Sequence, residues 1–212
     1  MLTVDYLTFN PFQENTYILH DETKECLIID PGMYTAEERK QLVEFLKKKE
    51  LNPVRLINTH CHLDHIFGNN FVSKTFDLKL EIHPGEEEML TAAPQVGQMY
   101  GIPTEPNQAP LTYLTEKDTV DFGNTSLKIL FTPGHSPASI SFYDANSGNL
   151  IGGDVLFEGS IGRTDLPGGS LETLIHSIKT QFMVLPDETI VYSGHGNATT
   201  IGAERLTNPF LK

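Results

Sequence analysis

The sequence has no tryptophan and only two cysteines, Cys26 and Cys61, among its 212 residues. Two cysteines cannot staple a disulfide-framed secreted scaffold, and one of them sits between two histidines, so both are expected as free thiols. Basic side chains are scarce: 15 Lys and Arg face 28 Asp and Glu, for a net charge of −13. Such a balance excludes a general positive field for nucleic-acid backbones or anionic lipid. No apolar run approaches the roughly 20 residues that a membrane-spanning helix needs. The first ten residues lack a basic flank, an apolar core and a small-residue cleavage site, so no secretory signal is expected and the expected location is cytoplasmic.

What the chain does have is a set of strand-like runs closed by turn residues. Leu2–Phe9, Asn15–His20 and Cys26–Asp30 are β-rich and short. Thr35 with Glu38 forms a capping box ahead of Leu42, Val43, Phe45 and Leu46, an apolar stripe at helical spacing. Val54–Asn58 reads as a strand, Ile66–Phe76 as a helix, Lys79–His83 as a strand, and Pro84 as the start of a helix over Glu86–Ala92. Residues 93–113 hold four prolines and read as an irregular excursion. Further strands are expected at Thr119–Phe122, Ser126–Phe131, Ile140–Asp144, Asn149–Val155 and Thr189–Ser193. Ser170 caps a helix with Leu171, Leu174, Ile175 and Ile178 on one face, and a short helix over Thr200–Leu206 ends before Pro209. There is no composition break and no fixed-period repeat, so residues 1–212 are expected as a single domain of two stacked sheets with helices outside.

The eight histidines are unevenly placed. His60-Cys61-His62-Leu63-Asp64-His65 follows directly on a strand. Residues two apart in extended chain face one side, so His60 and His62 converge on one point, while Asp64 and His65 enter the next turn and face an adjacent one. Cys61 alternates with the histidines and should point away into packing. Imidazoles with a carboxylate suit zinc, iron or manganese, and the absence of a second thiolate argues against a structural thiolate site. His135, Asp154 and His195 each stand just past an apolar β-run beside glycine, where a rigid sheet presents functional groups on loops. His20, His83 and His176 have no partners in sequence and are left as ordinary polar residues.

Thr59-His60-Cys61-His62-Leu63-Asp64-His65 resembles the HxHxDH signature of the metallo-β-lactamase superfamily. Thr132-Pro133-Gly134-His135-Ser136, Gly153-Asp154 and Ser193-Gly194-His195-Gly196 resemble its later metal motifs in order. Within the superfamily the chain is similar to small type II glyoxalase-like hydrolases, through Asn15-Thr16-Tyr17, Gly153-Asp154-Val155-Leu156-Phe157 and Gly159-Ser160-Ile161-Gly162-Arg163-Thr164-Asp165. The resemblance implies an α/β fold, a four-layer αββα sandwich of two mixed sheets with helices on the outer faces. It implies two divalent metal ions, zinc first, with iron or manganese accepted by the same ligands. His60, His62 and His135 would hold one ion, Asp64, His65 and His195 the other, and Asp154 would bridge them.

Two divalent ions outweigh two carboxylates and a hydroxide, which makes the centre a locally positive point suited to an anionic substrate. Metal lowers the pKa of bound water to about 7, so hydroxide is the expected nucleophile; Asp64 is also placed to orient it. The implied reaction is cleavage of a hydroxyacyl-glutathione thioester, such as S-lactoylglutathione. The longer members of that group add a helical domain with basic residues for glutathione, whereas here Arg163 and Lys212 are the basic candidates. Arg163 is expected either to contact a substrate carboxylate or to pair with Asp165. The leading alternative is a mononuclear-iron persulfide dioxygenase using His60, His135 and Asp154; a lactonase, another ester hydrolase and a non-catalytic metal-binding protein are further alternatives. Expected partners are a small anionic thioester or thiol-derived substrate, with no nucleic acid and no membrane.

Overall fold

The computed structural model describes residues 1–212, and the chain forms two compact units, one of residues 1–114 with 121–125, the other of 115–120 with 126–212. No helix is long and apolar enough to cross a membrane.

The first unit is built on a six-stranded mixed sheet in the order β1-β2-β3-β4-β5-β6. Its strands are β1 (Thr3–Phe9), β2 (Glu14–His20), β3 (Glu25–Ile29), β4 (Asn52–Ile57), β5 (Leu80–Ile82) and β6 (Leu111–Tyr113). β1, β2 and β3 pair antiparallel, and β3 through β6 run parallel. Parallel neighbours need crossover connections, and helices α1 (Ala36–Lys49), α2 (Leu63–Ile66), α3 (Asn69–Phe76) and α4 (Glu87–Met99) lie on those connections. α1 starts where the capping box places it: the Thr35 side chain accepts from the Glu38 N–H while Glu38 reaches back to the Thr35 backbone. Its Leu42 and Leu46 are buried in a core that includes Ile18, Ile28, Leu56, Val72 and Leu80, each such side chain contributing roughly 1.5–3 kcal/mol of burial.

A second six-stranded mixed sheet, most of whose residues belong to the second unit, has the order β14-β13-β10-β9-β8-β7. Here β7 spans Thr119–Phe122, β8 Thr125–Phe131, β9 Ile140–Asp144, β10 Asn149–Gly153, β13 Ile190–Ser193 and β14 Thr199–Thr200. A two-stranded hairpin, β11 (Leu156–Phe157) with β12 (Ser160–Ile161), stands apart from that sheet. β10 pairs parallel with β13 and antiparallel with β9. Helices α5 (Leu171–Ser177) and α6 (Ile201–Thr207) start at the Ser170 and Thr200 side-chain caps, and Leu174, Ile178, Phe182 and Ile201 join Leu150, Val155 and Val191 in one apolar cluster.

Several expected boundaries move. Ile66–Phe76 is two helices, because the Gly68 N–H turns to the Pro31 carbonyl at 2.7 Å instead of continuing the ladder. The helix expected over Glu86–Ala92 begins as a 3₁₀ turn at Pro84–Glu86, then runs as α4 through Pro94 to Met99. Proline in a helix removes one ladder bond, yet Leu90, Ala93 and Gly97 share the buried face on both sides of it. The excursion at 93–113 is therefore irregular only from Tyr100 to Pro110 before β6. The strand expected over Asn149–Val155 ends at Gly153, whose φ of +54° takes the backbone out of extended geometry. A π-helical turn at Ile178–Phe182 extends the helix that Ser170 caps.

Candidate metal centre

In the first unit, Asp30 follows β3 and the Asn58–His62 loop follows β4, so both stand beyond the carboxyl ends of neighbouring parallel strands, the usual place for function in such sheets. The Asp30 N–H donates to the Ile57 carbonyl at 2.9 Å, which ties the two strand ends together. Asp30 Oδ1 accepts from the Thr59 N–H at 2.7 Å and Oδ2 from the Thr59 hydroxyl at 2.6 Å. Having given its only proton to Asp30, the Thr59 hydroxyl accepts from His60 Nδ1 at 3.0 Å. His65 Nδ1 donates to Asp30 Oδ2 at 3.1 Å. One buried carboxylate therefore fixes both imidazoles in the tautomer that carries its proton on Nδ1. Their Nε2 lone pairs are directed elsewhere, the arrangement that outer hydrogen-bond partners impose on metal-binding histidines.

The rings of His60 and His62 stand 4.8 Å apart, and those of His60 and His65 4.2 Å apart. His65 Nε2 is 3.7 Å from Asp64 Oδ2. His60 and His65 are buried, while His62 and Asp64 keep partly open edges. Glu14 is fully buried with Oε1 4.0 Å from His65 Nδ1, and burial pushes its carboxyl well above the usual range. Cys61 packs in the apolar core, and its N–H donates to Glu86 Oε2 at 2.9 Å. Burial holds its thiol well above the ordinary value, with the Glu86 and Asp30 charges adding to the effect, so Cys61 is a packing residue there, as its alternation with the histidines implied.

In the second unit, His135 follows β8 through Thr132-Pro133-Gly134, Asp154 follows β10, and His195 follows β13. His135 Nδ1 donates to the Arg163 carbonyl at 2.7 Å, which again leaves Nε2 as the lone-pair nitrogen. Asp154 Oδ2 lies 3.5 Å from His135 Nε2 and 3.5 Å from His195 Nε2. These separations are long for direct hydrogen bonds. Two ligands held about 2.1 Å from one ion at tetrahedral angles stand roughly 3.4 Å apart, so the spacing fits side chains sharing metal. A glycine is required at position 162, where a Cβ would lie 1.9 Å from the Asp154 carbonyl and 3.2 Å from the His135 Cβ.

Sequence reasoning missed Asp30, Thr59 and Asn58 as supports. Asp30 had a faint signal, an acid ending an apolar strand just before Pro31-Gly32. The Arg163 guanidinium forks onto Asp165, with Nε to Oδ1 and Nη2 to Oδ2 both at 2.7 Å, and this holds the Asp165 carboxyl down at about 2. The three histidines left aside have local duties or none: His20 bonds Asp5 at 2.8 Å, His83 accepts from the Gly85 N–H at 3.1 Å, and His176 is exposed on α5.

The sequence profile of the metallo-β-lactamase superfamily matches residues 9–195. Over 204 residues, covering 95% of this chain and 93% of its own, a Bacillus subtilis protein named a probable metallo-hydrolase, YqgX, is 41% identical. The Haemophilus influenzae hydroxyacylglutathione hydrolase GloC is 34% identical over 99% of this chain and 98% of its own. Among solved structures, the BLEG-1 B3 metallo-β-lactamase superposes with a TM-score of 0.91 at 37% identity, covering 99% of this chain and all of that one. TTHA1623, solved in a di-iron-bound form, gives 0.88 at 35% identity over 98% of this chain and all of its own.

Proposed function

Because the chain belongs to the metallo-β-lactamase superfamily, we propose that it is a two-metal thioester hydrolase acting on hydroxyacyl-glutathione substrates such as S-lactoylglutathione. The observation that supports the reading is Asp154, whose Oδ2 stands 3.5 Å from each of two histidine nitrogens, a spacing that suits a carboxylate shared between metal-binding side chains. The similarity to a hydroxyacylglutathione hydrolase along nearly the whole chain supports the substrate class.

In this reading His60, His62 and His135 would hold one divalent ion, Asp64, His65 and His195 would hold the second, and Asp154 would serve both. The donor set of imidazoles and carboxylates without thiolate fits zinc, and equally iron or manganese. When bound, the ions supply Lewis acidity toward a thioester carbonyl and a water acidic enough to attack it near neutral pH. The protein's own work is to present lone pairs in fixed directions. Asp30 and Thr59 do so for His60 and His65, and the Arg163 carbonyl does so for His135. The partly open edges of His62, Asp64 and His195 are the ones that would be left to a substrate, and Asp64 would orient the attacking water. Arg163 takes the substrate carboxylate by exchanging its Asp165 partner, since both side chains are more than half exposed.

The test is metal analysis of the purified protein, followed by three assays on one sample. Two ions per chain with release of free thiol from S-lactoylglutathione are expected. One iron with oxygen uptake on glutathione persulfide and no thioester cleavage would establish the dioxygenase chemistry instead, and β-lactam cleavage without thioester cleavage would establish a lactamase.

A further inference from the structure

The β11–β12 hairpin is too small to hold its own shape. It has two residue pairs, Leu156 with Ile161 and Phe157 with Ser160, and a ribbon of that size is marginal in water. Its turn is Glu158-Gly159, and of these two residues only Gly159 has a positive φ, +67°. The turns that close hairpins unaided need a positive φ at the first of the two positions. Yet both ends of this hairpin reach the candidate metal centre. Val155, just before it, follows Asp154. Gly162, just after it, donates its N–H to the Val155 carbonyl at 3.2 Å and precedes Arg163, whose carbonyl fixes the His135 ring. On the hairpin itself, the Phe157 ring lies 6.4 Å from that of His195. All of these residues belong to the second unit.

The support comes from a carboxylate on α6. Glu204 is 1% exposed. Its Oε2 accepts from the Gly159 N–H at 3.0 Å and from Asn208 Nδ2 at 2.7 Å, and its Oε1 accepts from the Thr199 hydroxyl at 2.6 Å. Asn208 Nδ2 also donates to the Ser160 carbonyl at 2.9 Å, which secures the other side of the turn. Thr199 opens β14, at the end of the loop that carries His195. One buried carboxylate therefore joins the tip of the hairpin to the chain leaving His195. Burying a charge is costly unless hydrogen bonds compensate it. Here charge-assisted bonds do so, and they fix directions that apolar packing does not.

We propose that Glu204 is a positioning residue for the metal centre: it sets the β11–β12 hairpin, and with it Phe157, against the loop that presents His195. The inference rests on the reading of His195 as a metal ligand. Through the hairpin's far end, the same carboxylate steadies the approach to Arg163 and so to the acceptor of His135.

The test compares Glu204→Gln with Glu204→Ala in the full chain. The Gln side chain keeps the shape: its oxygen takes the Gly159 and Asn208 donors, and its NH₂ donates to the Thr199 hydroxyl, which rotates to accept. Ala leaves all of these donors without an acceptor. The readouts, taken well below the melting transition, are the ring resonances of His195 in metal-free protein with isotope-labelled histidine, and zinc affinity by chelator competition. In Glu204→Ala, displaced His195 resonances and roughly tenfold weaker zinc binding are expected, with Glu204→Gln close to the parent in both. A merely structural clasp would lower the melting temperature of Glu204→Ala and leave resonances and affinity as in the parent, and that result would overturn the proposal, as would a Gln variant as impaired as Ala. The resonances report the link without metal or substrate. A parent chain that binds no zinc, iron or manganese would thus defeat the reading of the centre, while the resonances still decide whether Glu204 positions His195. Should Glu204→Ala lose its fold, Thr199→Val, which removes one donor and keeps the shape, decides: displaced His195 resonances support the link and parental ones refute it.

Discussion

Asp30 and Thr59 decide which nitrogen of His60 and His65 carries the proton, and neither residue belongs to the HxHxDH run. In Thr59→Val the shape is kept but the hydroxyl is gone, so His60 Nδ1 loses its acceptor and Asp30 loses a donor. Metal affinity in that variant should fall 10–100-fold, the usual effect of removing such a partner, as read by competition with a chromophoric chelator; unchanged affinity would remove Thr59 from the relay. Asp21 gives a prediction on acid stability. Burial alone raises its carboxyl, but hydrogen bonds from Thr23, Asn124 and Thr125 outweigh that and hold it at about 2, below the ordinary 3.8. Its folded value is depressed, so its contribution is present above the ordinary carboxylate range and is lost as pH falls from about 4 to 2. Asp21→Asn should flatten that part of the melting-temperature profile, and an identical acid limb in the variant would refute the assignment. The two thiols should resist reagents at pH 8 in the folded protein and react only on denaturation, since burial pushes Cys26 up to about 12 and Cys61 well above its ordinary value.

At the scale of elements, the site hangs on places where backbone meets backbone. Gly134 has φ +129°, and a Cβ there would meet the Leu174 backbone nitrogen at 2.3 Å. Gly134→Ala must therefore move either α5 or the loop that carries His135, and loss of both stability and activity is expected, with the latter falling further than a melting shift alone accounts for; a variant that keeps the parent's rate would show that the loop adapts. These same elements show what was legible from the chain. α1 could be read because its cap, stripe and stop are local signals, and the HxHxDH run could be read because extended spacing dictates which side chains share a side. The run of α4 through Pro94 could not, since the decisive contribution is the buried face of Leu90, Ala93 and Gly97, which only tertiary packing reveals. Nor could Asp30 be placed beside His65, 35 positions away, because β3–β4 pairing brings them together. The short β11–β12 hairpin has too few residues for any periodicity to show.

At the scale of the whole molecule, the chain is strongly acidic, and Glu14, Asp30 and Asp154 are buried close to the histidines. The proposed centre takes its ligands from two distant stretches of the sequence, His60, His62, Asp64 and His65 from one and His135, Asp154 and His195 from the other. A ligand bound only by the folded state stabilises every part that supplies its contacts. Metal removal by a chelator should therefore lower the melting temperature and raise hydrogen exchange in both units together, at residues 58–66 and equally around His135, Asp154 and His195. His62→Ala and His195→Ala, one in each unit, should each lower metal stoichiometry and shrink the metal-dependent protection of the opposite unit. Protection that changes in one unit alone, with the other indifferent to metal, would show two independent half-sites and defeat the shared centre, even if thioester cleavage were observed.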